Sequence, residues 1–266
     1  MNSTSNSTLN NRPKPDVESP LRALLTALIV ALVCALLVSI AAVSLRPRYQ
    51  ANLDAERMSR LTAIVQALKA VRGEVTASAI ESRVVHLDSG GYTDYLDPDI
   101  FDARKATTDP DQSIALAPES DIAGIKRRAN HAVVYLIHDS DDQPSVVILP
   151  VWGVGYQSAL YGYLALAADA REILALKFYE QGETPGLGSR IQDPAWEALW
   201  PGKQAYNRDG EVEIEIGGSG HQNDISRIDG ITGATRTSHG VDTLIRFWLG
   251  ELGFGPYLTR LRRGEL

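Results

Sequence analysis

Residues 131–179 read HAVVYLIHDSDDQPSVVILPVWGVGYQSALYGYLALAADAREILALKFY. This stretch holds four short apolar runs: His131–Ile137, Ser145–Val151, Tyr161–Ala167 and Glu172–Tyr179. Each is rich in β-branched and aromatic residues, and the breaks between them carry Asp, Gly, Pro and Ser, the pattern of strands joined by turns. Several alternate apolar with polar or small residues, as half-buried antiparallel strands do. A fifth run, Glu211–Ile216 (EVEIEI), continues the pattern. Helical spacing appears twice beyond the fourth run, over Asp193–Leu199 and from near Ser238 through Val241, Leu244, Ile245, Trp248 and Leu249. The reading is an α+β domain over residues 131–266, with a mostly antiparallel sheet and flanking helices. No internal repeat occurs at a period of about 20 to 50 residues.

Toward the N-terminus, residues 46–130 read as an amphipathic helix followed by an irregular connecting region. Leu53, Met58, Leu61, Ile64, Val65 and Leu68 are helically spaced within Asn52–Val71, whereas residues 88–121 are rich in Asp, Gly, Pro and Thr without sustained periodicity. Residues 23–45, ALLTALIVALVCALLVSIAAVSL, contain no charge and are bracketed by Arg22, Arg46 and Arg48. A helix of that length reaches about 35 Å, enough to span a bilayer, and it exceeds the roughly 7 to 15 apolar residues of a cleaved signal peptide. Pro47 blocks easy continuation beyond it. The expectation is one transmembrane helix over 23–45. Residues 1–22 read as a flexible tail, because their Ser, Thr, Asn and Pro cannot bury enough surface to fold. Basic residues flank the span on both sides, so charge bias does not orient it.

The 266-residue chain carries 26 Lys+Arg against 33 Asp+Glu, a net charge of -7, and its 44% hydrophobic content is ample for a core. Only three of the basic and two of the acidic residues precede position 46, so the acidity belongs to the extramembrane part. A chain with this balance lacks the clustered cations that displace counterions from phosphate backbones, which argues against nucleic acid as a partner. The single cysteine, Cys34, excludes an intrachain disulfide and any cysteine-held metal centre or iron–sulfur cluster built by this chain alone. The histidines, His86, His131, His138, His221 and His239, are scattered without helical pairing, and no metal site is expected. Redox chemistry here therefore requires an organic cofactor. Gly153 and Gly155 make a lone GxG after a strand, but Ser158 stands where a dinucleotide fingerprint needs its third glycine.

Two loops stand out. Residues 180–188, EQGETPGLG, place three glycines and a proline in nine residues after a strand, a composition that lets backbone approach a ligand, with Glu183 and Thr184 as polar groups. Residues 229–241, DGITGATRTSHGV, put Thr235 after the small Gly233 and Ala234, and place Thr237 and Ser238 as N-cap candidates before an apolar helix. Such a helix start suits a phosphate group. By composition alone, the favoured readings are a long turn for the first stretch and an ordinary capped loop for the second.

DGITGAT resembles the flavinylation motif whose last threonine is joined to FMN through a phosphoester bond. GETPGLG, the preceding FYE, PVWGVGYQSALYGYLAL from Pro150, LRP at Leu45–Pro47 and GFGPYL near the C-terminus resemble the NqrC family, the C subunit of the bacterial Na⁺-translocating NADH:quinone oxidoreductase. The similarity runs from about residue 23 to 266. It implies FMN held covalently on Thr235, with Gly233 and Ala234 letting the phosphate approach. It also implies that Glu183, Thr184, Gly186 and Leu187 lie against the flavin, the first two as hydrogen-bonding groups. Asp229 is carried over as a motif residue of the cofactor site, with recognition by a flavin transferase that uses FAD and Mg²⁺ as the alternative role. The implied activity is electron relay within a six-subunit membrane assembly that oxidises NADH, reduces quinone and exports Na⁺, with the soluble domain on the periplasmic face of the inner membrane. Gln181, where His is frequent, and Gln157, where an aromatic is usual, depart from the pattern, so the resemblance gives neither a role. The G subunit of the related Rnf complex shares both loops; PVWG and GFGPYL favour the NADH:quinone enzyme. A non-redox anchored binding module is the alternative of a different class.

Overall fold

The computed structural model describes residues 21–22, 24–40, 43–44, 62, 65, 80–139, 141, 143–221 and 223–266. It divides into two units, residues 1–58 and 59–266. In the first, residues 24–40 are helical and their apolar side chains are exposed, Leu24 at 71% and Leu32 at 63% among them. Among the described residues no helix is long and apolar enough to cross a membrane. The expected 23–45 span includes residues outside the described set. The expected helix over 52–71 lies outside it too, apart from Thr62 and Val65, which are helical.

The second unit is built on a seven-stranded sheet. Its strands are β1 (Ile80–His86), β2 (Gly91–Tyr92), β5 (His131–His138), β6 (Pro144–Val154), β7 (Ala159–Ala167), β8 (Glu172–Glu180) and β9 (Lys203–Gln204), in the order β2-β1-β5-β6-β7-β8-β9 with every neighbour antiparallel. Two small ribbons flank it: antiparallel β3 (Ser113–Ala115) with β4 (Arg127–Ala129), and parallel β10 (Glu215–Ile216) with β11 (Arg227–Ile228). The helices are α1 (Ala103–Ala106), α2 (Pro194–Glu197), α3 (Thr235–Leu249) and α4 (Gly255–Arg263), with a 3₁₀ turn at Gly188–Gln192.

The four central runs become β5 to β8, each extended by one to four residues. They read as nearly continuous apolar stretches because both faces of the sheet are covered. Along β5, Ala132, Val134 and Leu136 enter the core beneath α3 and α4, while Val133, Tyr135 and Ile137 enter a second core that includes Val65 and Val84. An antiparallel sheet with one wet face would show polar residues at every second position instead. The EVEIEI run forms only the two-residue β10 plus an isolated bridge, Tyr206 to Val212.

The reading of 46–130 as helix and connector is corrected by β1, which pairs with β5 along its whole length from Ile80↔Ile137 to His86↔His131 and buries Val84 and Val85. The sheet therefore draws a strand from well before residue 131. Residues 88–121 also hold β2, α1 and β3.

Helix α3 lies across β6. Its Val241, Leu244, Ile245 and Trp248 are buried, and Trp248 Nε1 donates to the Trp152 carbonyl at 2.6 Å. The approach is close enough to require glycine on both partners. A Cβ on Gly153 would lie 2.6 Å from Leu244 Cβ, and one on Gly240 would lie 2.7 Å from the Val154 carbonyl oxygen. Gly153→Val is expected to lower stability by about 1–3 kcal/mol through overpacking. A fall in the urea midpoint without a change in slope checks it.

Candidate flavin-attachment site

The turn Ile231–Ala234 delivers the chain into α3. Ala234 N donates to the Ile231 carbonyl at 2.9 Å, and Gly233 takes φ +84°, a conformation that favours glycine in the third place of such a turn. Helix α3 begins at Thr235, three residues earlier than its apolar periodicity suggests. Ala234, at the N-cap, offers no side-chain acceptor to the first turn. Thr235 is thus an exposed hydroxyl on the first turn of a fifteen-residue helix whose leading N–H groups are uncapped by any side chain. That combination accommodates an anion at Thr235.

Thr237 and Ser238, the expected N-caps, lie inside the first turn and are buried. Ser238 Oγ accepts from Ile231 N at 2.9 Å and donates to the Ala234 carbonyl at 3.1 Å, which locks the turn ahead of Thr235. Thr237 Oγ1 donates to Glu183 Oε2 at 2.6 Å.

Glu183 joins the two loops singled out from the sequence. It is only 4% exposed, and its other oxygen, Oε1, accepts from Gln157 N at 2.9 Å and Ser158 N at 3.1 Å. Its carboxylate therefore ties the β6–β7 turn to α3. Glycines make the room, since a Cβ on Gly155 would lie 2.6 Å from Oε1 and one on Gly188 would lie 2.8 Å from Oε2. The carboxylate expected to hydrogen-bond a cofactor is 4% exposed and here accepts from the chain's own donors. Gln181 supports it: its Oε1 accepts from Glu183 N at 2.6 Å and its Nε2 donates to Gln192 Oε1 at 3.1 Å.

The next residues of the loop, Thr184, Pro185, Gly186 and Leu187, are exposed, and Gly186 takes φ +74° with nothing packed over it. Leu187 comes beside the Ile231–Ala234 turn, where a Cβ on Gly233 would lie 3.4 Å from Leu187 Cδ2. The structure thus brings Leu187, Gly233, Ala234 and Thr235 together. Asp229 stands apart from them. Its Oδ1 accepts from His221 N at 2.8 Å, which holds its pKa below the usual carboxylate value, and its carbonyl accepts from Trp196 Nε1 at 3.0 Å. Asp229 thereby fixes the 217–221 loop against the entry to the motif.

Thr235 also lines a cavity of about 570 Å³, together with Ile122, Val154, Tyr156, Arg236, His239 and small residues. Its volume lies in the range that holds a drug-sized ligand. Tyr156, Arg236 and His239 were not singled out in the sequence. Only their nearness to Thr235 marks them, and for Tyr156 that nearness is tertiary.

A family model described as an FMN-binding domain matches residues 155–250, which span the β6–β7 turn, the Glu183 loop and the Thr235 turn. The domain is therefore of the FMN-binding class. The C subunit of the Na⁺-translocating NADH-quinone reductase of Vibrio alginolyticus is 42% identical over 86% of this chain and 90% of its own; that of Pseudomonas aeruginosa is 43% identical over 93% and 98%. The crystal structure of Shewanella oneidensis NqrC superposes with a TM-score of 0.69 at 31% identity, covering 77% of this chain and 99% of the other. The chain belongs to the NqrC family, the C subunits of Na⁺-translocating NADH-quinone reductases.

Proposed function

We propose that this chain is the FMN-carrying subunit of a Na⁺-translocating NADH-quinone reductase, with FMN joined to Thr235 through a phosphoester and electrons passing between redox centres on partner subunits of a six-subunit assembly. The single observation that carries the attachment is the position of Thr235: an exposed hydroxyl at the uncapped start of α3, following a glycine at φ +84°, on the rim of a 570 Å³ cavity. The residues present suit the group. A phosphate on Thr235 Oγ1 meets no side-chain cap competing for the first-turn N–H groups, and Leu187 and Tyr156 offer apolar surface nearby. FMN supplies reversible electron chemistry when bound, while the protein supplies position and electrostatics. In this chain Glu183 and Ser238 hold the two loops in register, Gly233 clears the approach, and Thr184 and Leu187 face the ring or the ribityl chain. The domain needs no catalytic acid or base.

Attachment by a flavin transferase that uses FAD and Mg²⁺ is the maturation step the family resemblance implies. Asp229 serves that enzyme as a recognition residue while also bracing the 217–221 loop. Residues 23–45 anchor the chain in the bacterial inner membrane with the domain on the periplasmic side. The uniformly exposed apolar side chains over 24–40 support a lipid-facing helix. The intact mass of protein made with its transferase is expected to exceed the bare chain by one esterified FMN, mapped to the peptide containing Thr235. Protease added to spheroplasts is expected to cleave the domain, and a protected domain overturns the orientation.

A further inference from the structure

We propose that Arg236, held across the ring of Tyr156, is the positioning counter-charge for the phosphoester on Thr235, and that Tyr156 forms one wall of the flavin's seat. The proposal rests on the Thr235 attachment reading.

Thr235 and Arg236 line the same cavity, although neighbours on a helix diverge by about 100°. The guanidinium is brought round by a contact: Arg236 Cζ lies 5.1 Å from the Tyr156 ring centroid. A cation over an aromatic face at an exposed site is favoured enough to bias a flexible side chain toward one orientation. Most of the domain's other exposed arginines near an acid spend their charge on it, as in Arg104–Glu180, Arg190–Asp193 and Arg227–Glu215. Among the described residues, Arg236 has no such ion pair. In a chain of net charge -7, an arginine turned toward a cavity and left without a carboxylate is suited to an anion from elsewhere. A phosphodiester on Thr235 carries one negative charge and lies on the adjoining residue. His239 lines the same cavity one turn on, and Asp242, the nearest acid along the helix, is turned to the other side, accepting from Ile216 N at 2.8 Å.

Tyr156 is 50% exposed, and Val154 and Ile122 beside it are 46% and 47% exposed. These are large apolar groups left open around one cavity, and a flat ring tethered at Thr235 covers them without moving backbone.

The test uses full-length protein flavinylated by its transferase, with Arg236→Gln, Arg236→Lys and Tyr156→Leu, and Arg208→Gln as a surface control. The expected result for Arg236→Gln is a displaced ³¹P resonance of the phosphodiester and about a threefold rise in acrylamide quenching of flavin fluorescence, both partly restored in Arg236→Lys. Tyr156→Leu is expected to raise the quenching constant while leaving the ³¹P resonance near its wild-type position. If folded Arg236→Gln takes no flavin, Arg236→Lys must restore attachment, and its failure to do so overturns the proposal. Arg236→Gln indistinguishable from Arg208→Gln in both signals overturns it too, and leaves the attachment reading standing. A flavin that stays covalently bound in Thr235→Ala, under denaturing conditions, removes the attachment reading itself.

Discussion

Thr235→Ala is expected to abolish covalent flavin altogether. The variant, produced with its transferase, gives no UV-fluorescent band in a denaturing gel and has the mass of the bare chain. The effect is all-or-none because a phosphoester requires the hydroxyl oxygen. The neighbouring hydroxyls are no substitutes: Thr237 Oγ1 is buried and committed to Glu183, and Ser238 Oγ is committed to Ile231 and Ala234. Thr235 itself is exposed at a helix start, so the same change leaves stability within about 0.5 kcal/mol of wild type. Loss of flavin with an unchanged urea midpoint separates a missing attachment point from a missing fold. A fluorescent band that persists in Thr235→Ala sinks the assignment.

Glu183→Ala is expected to be the most destabilising change in the site, lowering stability by about 3–5 kcal/mol. The carboxylate is buried and accepts from four donors on two elements: Gln157 N, Ser158 N, Ser158 Oγ and Thr237 Oγ1. Truncation removes their shared acceptor, leaves the buried Thr237 hydroxyl without its partner and opens a void where Gly155 and Gly188 had made room for the carboxylate. Glu183→Gln keeps the volume but replaces one acceptor oxygen with a donor, so it is expected to fall between. Thr184→Ala, one residue on and exposed, is expected to stay within about 0.5 kcal/mol. Chemical unfolding of the three variants checks the order. A Glu183→Ala protein as stable as Thr184→Ala would show that the carboxylate does not tie the loops. Flavin content is expected to fall with Glu183→Ala as well, because the β6–β7 turn and the start of α3 lose their common anchor.

The family and the central strands were legible, and the motif around Thr235 could be found, because each is a local signal. Four closely spaced apolar runs have the length and residue types of strands whatever surrounds them, and DGITGAT is contiguous. β1 was not legible: IESRVVH carries two charged residues and a serine among its apolar ones. Its place in the sheet comes from pairing with β5, more than 40 residues on, and from the burial of Val84 and Val85 that follows. EVEIEI fails in the opposite direction. Its alternation is strand-like, but it finds a ladder partner only for Glu215 and Ile216 and otherwise runs as irregular chain. The start of α3 lies three residues ahead of the place its periodicity suggests, because apolar residues begin only where the helix meets β6, whereas its first turn faces the site.

The roles of the motif residues divide in the same way. Gly233, Ala234 and Thr235 act through backbone shape and a hydroxyl, and these are written in the residue types themselves. Glu183 has the same side chain whether it faces a ligand or the interior. Its direction was settled by Gln157 and Ser158 on one side and Thr237 on the other, 26, 25 and 54 positions away. Tyr156 and Arg236 are 80 residues apart and become neighbours only when the β6–β7 turn meets α3. By itself, the sequence determined what kind of domain this is and which threonine the motif nominates, since strand periodicity and a contiguous motif are local. The tertiary structure alone decided which polar side chains brace the site and which remain free to face a flavin, because a buried carboxylate is directed by donors that distant segments bring to it.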